Sequence, residues 1–100
     1  MSIFETVKIY ATPWNPVEER ALTAEEKAEV ASAEVTKGDY GLSVCFHLTT
    51  GGMCFFSIDT DNSKLVGVGD KVDVDNLIYK KLEKKDVDGT MITCDKVIVQ

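Results

Sequence analysis

Hydrophobic and polar positions alternate with a period of two over much of this chain. The clearest run is Leu42, Val44, Phe46 and Leu48, interleaved with Ser43, Cys45 and His47, the pattern of a half-buried strand. A second run, Met53 to Ile58, places Cys54, Phe56 and Ile58 on one side. Directly opposed residues of an antiparallel pair share a face, so Leu48 opposite Cys54 and Phe46 opposite Phe56 brings the two apolar sets together. This register leaves Thr50-Gly51-Gly52 as a three-residue loop, of the kind that ends in a positive-φ glycine with a bulge. It sets His47 against Phe55 on the outer face and separates Cys45 from Cys54, so that the two cannot form a disulfide.

Weaker alternations flank this hairpin. Residues 3 to 10 read as a strand with Ile3, Val7 and Ile9 on one side, ended by Pro13 and Pro16, because proline cannot donate to a ladder. Thr23 followed by Glu26 is a capping box and predicts a short helix over 24–32, with Ala24, Ala28 and Ala31 as a thin buried stripe. Asp59 to Lys64 reads as a polar turn, Lys71 to Asp75 as alternating strand, and Leu77 to Leu82 as a further strand closed by the turn Lys84 to Gly89. Met91 to Val99 reads as a last strand burying Ile92, Cys94, Val97 and Val99, the change of phase implying a bulge near Asp95-Lys96. Five or six short strands and one helix predict a mainly β (α+β) fold. The expected form is a small curled antiparallel sheet or partly open barrel, and residues 1–100 are expected to form one domain.

Composition narrows the classes. One hundred residues, 44% hydrophobic, with two prolines and seven glycines, exclude collagen, coiled coil and low-complexity disorder. No apolar run approaches the roughly 20 residues of a membrane-spanning helix, and the start carries no basic-then-apolar signal. A soluble, cytoplasmic protein without membrane contact is therefore expected. Eleven basic against seventeen acidic residues give a net charge of −6, the wrong sign for gripping duplex DNA by its phosphates. Cys45, Cys54 and Cys94 form no C-x-x-C pair, and with His47 as the one histidine they do not supply a four-ligand zinc site. The Asp59 to Asp70 spacing imitates a calcium loop, but Lys64 stands where glycine is needed and Asp70 where a bidentate glutamate is needed. No metal site and no cofactor is expected.

Candidate chemistry is correspondingly thin. Cys45 and His47 share a face, yet no third group in the sequence orients them as a nucleophile pair, and no phosphate-binding loop or paired-carboxylate motif is present. The expectation is a protein without catalysis. Lys80, Lys81, Lys84 and Lys85 gather near one strand end, where Tyr79, His47 and Phe55 could add stacking surfaces for unpaired bases. Glu25, Glu26 and Glu29 concentrate negative charge on the helix and offer a basic partner carboxylates in place of phosphates.

Gly41-Leu42-Ser43-Val44-Cys45-Phe46, the Gly51-Gly52 turn and Val68-Gly69-Asp70-Lys71-Val72-Asp73-Val74 resemble small proteins encoded by phages and mobile elements of gut bacteria, over roughly residues 22 to 99. The Val-Gly-Asp-x-Val step and the closing strand also resemble oligonucleotide-binding (OB) barrels, a shape close to the SH3-like kind. The resemblance implies an accessory protein acting inside the bacterial host cell. The expected function is non-catalytic protein–protein contact, on a host or replication component, through the outer face of the 42-to-58 hairpin. The alternative is an OB-like single-stranded nucleic-acid binder using His47, Phe55, Tyr79 and the four lysines. Exposed strand edges also allow homodimerisation.

Overall fold

The computed structural model describes residues 14–39 and 41–100. The strand expected over 3–10 and Pro13 lie outside them. Six strands follow in chain order: β1 (Asn15–Ala21), β2 (Val30–Gly38), β3 (Gly41–Leu48), β4 (Met53–Ile58), β5 (Leu77–Lys85) and β6 (Met91–Val99). One helix, α1 (Ala24–Glu29), joins β1 to β2, and a 3₁₀ turn (Val74–Asn76) precedes β5. The strands form a single sheet in the order β1-β5-β6-β4-β3-β2 that does not close into a barrel. β2, β3 and β4 make one antiparallel meander, while β1, β5 and β6 make another antiparallel set. The two halves meet through a short parallel pairing, Ser57 with Lys96 and Ile58 with Val97.

Register parity divides the sheet into two faces. The inner face carries Ala33, Val35, Val44, Phe46, Ile58, Leu77, Val97 and Val99, which form the buried core. Side chains such as Val44 and Val97, with no exposed surface, contribute about 1.5–3 kcal/mol each by leaving water. Phe46 meets Phe56 edge-on at 5.4 Å between ring centroids, and Phe56 meets Tyr79 at 6.3 Å. The 67–72 segment lies along the outer edge of β2, with Gly69 N–H donating to Val35 O, Val35 N–H to Asp70 O and Val72 N–H to Ala33 O. This covers an edge that would otherwise present unpaired backbone groups.

Several local expectations change. The central hairpin keeps its two faces but is shifted: Val44 opposes Phe56, Phe46 opposes Cys54 and His47 opposes Met53. Leu48 N–H donates to Gly52 O at 2.8 Å, so the three-residue loop is Thr49-Thr50-Gly51, and Gly51 takes the positive φ of 96°. Choosing the first of two adjacent glycines slips each partner by two positions while preserving parity. Phe55 therefore opposes Cys45, not His47.

The helix ends at Glu29 rather than 32, because Val30 is already extended and opens β2. Ala24, Ala28 and Ala31 are exposed, and α1 buries no residue; its anchors are polar. Thr23 Oγ1 accepts from Glu26 N–H, Glu26 Oε1 accepts from Thr23 N–H, Arg20 grips both Glu26 oxygens at 2.6 and 3.1 Å, and Lys27 pairs with Asp75 at 2.8 Å.

Pro16 sits within β1, at the edge of the sheet beside a bulge, the two places where a strand tolerates proline. Residues 71–75 contribute one bridge, Lys71 with Glu34, followed by the 3₁₀ turn instead of a strand. β5 runs on to Lys85, and its nine successive pairs with β6 leave no bulge near Asp95-Lys96. Ile92 and Cys94 consequently lie on the outer face, half-buried, while Val97 and Val99 enter the core.

Candidate functional site

The outer face of the β2–β3–β4 meander is built in rows across the strands. Glu34, Cys45 and Phe55 form one row, and Ser32, His47 and Met53 the next. Two adjacent apolar side chains project from it, Phe55 at 59% and Met53 at 57% exposure. Behind them Cys45 is buried at 5% exposure, although its strand phase points it outward, because β3 is flanked on both sides. The Cys45 Sγ lies 3.8 Å from His47 Nε2 and 4.0 Å from Met53 Sδ. His47 Nε2 also meets Glu34 Oε1 at 3.1 Å, and Lys71 Nζ stands 3.5 Å from Glu34 Oε2. The hydrogen bond from His47, followed by the Lys71 charge, holds the Glu34 carboxyl below its ordinary value.

Glu34 is the third group that sequence inspection did not supply for Cys45 and His47. A thiol–imidazole nucleophile pair divides the two ring nitrogens between the thiol and the orienting acid. Here both neighbours address Nε2. That arrangement orients the ring without making it a relay.

The structure distributes the lysine cluster over both faces. Lys80 and Lys84 lie on the outer face, whereas Tyr79, Lys81 and Lys85 lie on the inner one, on the opposite side from Phe55. Lys80 is committed to Asp59 at 2.9 Å, with side-chain exposures of 16% and 11% for the pair. Lys84 Nζ lies 4.9 Å from the Trp14 ring centroid, and Lys81 stands between Glu18 and Asp95 in register. Tyr79 donates its hydroxyl proton to Asp95 at 2.6 Å, which pushes its pKa up to about 12. Arg20 covers the Tyr79 ring at 5.0 Å.

The three helix glutamates also differ. Glu25 and Glu29 are exposed, while Glu26 is held by Arg20 and the Thr23 amide, which bring its carboxyl down to about 2. Glu29 and Glu26 instead rim an open apolar hollow of ≈ 170 Å³ on the inner face, floored by Phe46, Leu48, Cys54 and Phe56. Cys54, expected inward, points to this side yet stays exposed, because α1 covers the hairpin end incompletely.

Glu34, Met53, Lys71 and Asp59 are the contributors that the sequence did not reveal. Met53 would have emerged from the shifted hairpin register, whereas Lys71 and Asp59 join through contacts between segments far apart in the chain. Among the described residues no helix is long and apolar enough to cross a membrane. No family model, curated protein or solved structure matches the chain.

Proposed function

We propose that this chain is a non-catalytic binding protein that works by protein contact through the outer face of the β3–β4 hairpin. The observation that supports this reading most strongly is the pair Phe55 and Met53, exposed side by side and rimmed by Glu34, His47 and Ser57. An apolar centre with a polar rim is the anatomy of a docking surface, and an exposed aromatic ring is its usual anchor. Glu25 and Glu29 of α1 offer a basic partner a separate acidic surface, Glu29 rimming the inner-face hollow. Action inside a bacterial host, as an accessory of a phage or mobile element, belongs to the same proposal.

Single-stranded nucleic acid is the rival, and the side-chain arrangement disfavours it. Stacking and charge would have to act on one surface. Tyr79 and Phe55 occupy opposite faces, and Lys80, Lys81 and Lys84 already have carboxylate or aromatic neighbours.

The test compares the parent with Phe55→Ala in pull-downs from bacterial lysate and in titrations with labelled oligonucleotide at low and high salt. The expected result is a retained protein that Phe55→Ala releases with folding stability unchanged. Micromolar, salt-sensitive oligonucleotide binding weakened by Phe55→Ala and Lys81→Glu would replace this reading with the nucleic-acid one.

A further inference from the structure

We propose that the hollow between α1 and the loop end of the β3–β4 hairpin binds a small organic cation, a primary ammonium carried on a compact aromatic body. The hollow follows from how α1 is held. Its cap and ion pairs fix it in place while none of its side chains is buried, so it borders the inner face of the hairpin without filling the space there. What it leaves is apolar: Phe46, Leu48 and Phe56 from the hairpin, Leu22 and Val30 from the chain on either side of α1, and the exposed Cys54. The volume of ≈ 170 Å³ slightly exceeds the roughly 150 Å³ at which an apolar cavity takes up a benzene ring. An aromatic body there adds a further ring to Phe46 and Phe56, which meet edge-on at 5.4 Å.

The rim decides the charge. Thr49 N–H donates to Glu29 O at 2.9 Å, which ties the hairpin loop to the end of α1 and fixes the Glu29 backbone at the mouth. The Glu29 side chain is exposed and enters no ion pair among the described residues. The other rim acid, Glu26, has both oxygens on Arg20 at 2.6 and 3.1 Å, so its charge is already met and Arg20 is committed. The lining therefore offers one free carboxylate and no cation. An anionic ligand finds no counter-charge, and a neutral one leaves Glu29 unused. A ring with an ammonium at one end meets both parts, and its charge stays at the open mouth beside Glu29 instead of being buried unpaired. Phe55 and Met53 project from the opposite face of the sheet, so this site is separate from the docking surface.

The experiment titrates phenethylammonium into the isotope-labelled full chain and follows the backbone amide shifts. The expected result is a saturable shift at Glu29, Val30, Leu48 and Cys54 and none at Ile92 or Cys94, with a Kd of about 0.1–1 mM for a ligand of about nine non-hydrogen atoms. Alkylation by iodoacetamide gives a second readout: the ligand covers Cys54, whereas Cys94, half-buried on the outer face, reacts at its unliganded rate. Glu29→Gln is expected to weaken binding about fivefold and to remove its salt dependence. Cys54→Phe, a change at an exposed position, fills the hollow and is expected to abolish the shifts. Phenethyl alcohol and phenylacetate, the neutral and anionic counterparts, are expected to bind more weakly by at least the same factor. No saturable shift up to about tenfold above the expected Kd, equal affinity for the alcohol, or an affinity indifferent to Glu29→Gln overturns the assignment. Phe55→Ala is expected to leave amine binding unchanged, which separates failure of this site from failure of the docking surface.

Discussion

At the scale of single residues the most consequential placement is Asp59. Its carboxylate is buried, and burial alone pushes it up; hydrogen bonds from Lys80 at 2.9 Å and Asn62 at 2.8 Å outweigh that and leave it below its ordinary value. A carboxyl lowered in the folded state contributes stability above its unfolded pKa of about 4 and loses it as the pH falls through the folded value. Lys80→Met strands a buried carboxylate and is expected to cost about 2–3 kcal/mol, whereas Asp59→Asn/Lys80→Met, which removes both charges, recovers most of the loss. Urea unfolding at neutral pH checks this; a single variant as stable as the parent would show that the pair does not carry the turn. Nothing near Asp59 in the chain announces its burial. It reads as one more acid in a polar turn, and its partner arrives from β5, 21 residues on.

At the scale of elements, α1 is a helix without an apolar stripe, held by its cap and its ion pairs. Thr23→Ala removes the acceptor for the Glu26 amide, a loss of about 1 kcal/mol. The readout is hydrogen exchange at the Lys27 amide, which donates to Thr23 O at 2.9 Å and is expected to exchange about fivefold faster, while Thr23→Ser restores it. Unchanged protection in Thr23→Ala would refute the role of the cap. The capping box was legible because a cap is a contact between residues three apart. The two faces of the central hairpin were legible for a similar reason, since parity survives the slip between Gly51 and Gly52. The expected pairing of His47 with Phe55 did not survive it, and His47 opposes Met53 instead. The extent of α1 was misjudged because alanines at helical spacing fit an exposed face as well as a buried one.

At the scale of the whole molecule, an open sheet has to manage its edges. β1 carries Pro16 and a bulge, and β2 is covered by the 67–72 segment, which turns at Gly69 with φ of 94°. Gly69→Val forces a branched side chain into that conformation at about 1–3 kcal/mol and frees the Val35 backbone. Sedimentation is expected to show concentration-dependent association beyond that of the parent; a variant that sediments like the parent would mean the edge is protected by other means. The mainly β class was legible from alternation, but the strand order was not, since it depends on which meander meets which. That meeting is the two-residue parallel pairing of β4 and β6, reinforced by Asp59 N–H to Val97 O and Lys64 N–H to Val99 O. Core side chains nevertheless cross it, with Ala33, Val35, Val44, Phe46 and Ile58 on one side and Leu77, Val97 and Val99 on the other. The two panels are thus glued by their shared hydrophobic interior more than stitched by their backbones. The β2–β3–β4 panel and the β5–β6 hairpin close over short loops, whereas the joint closes a long one between Ile58 and Val97 and is expected to be the first part to open, with amide exchange at Asp59 and Lys64 as the readout.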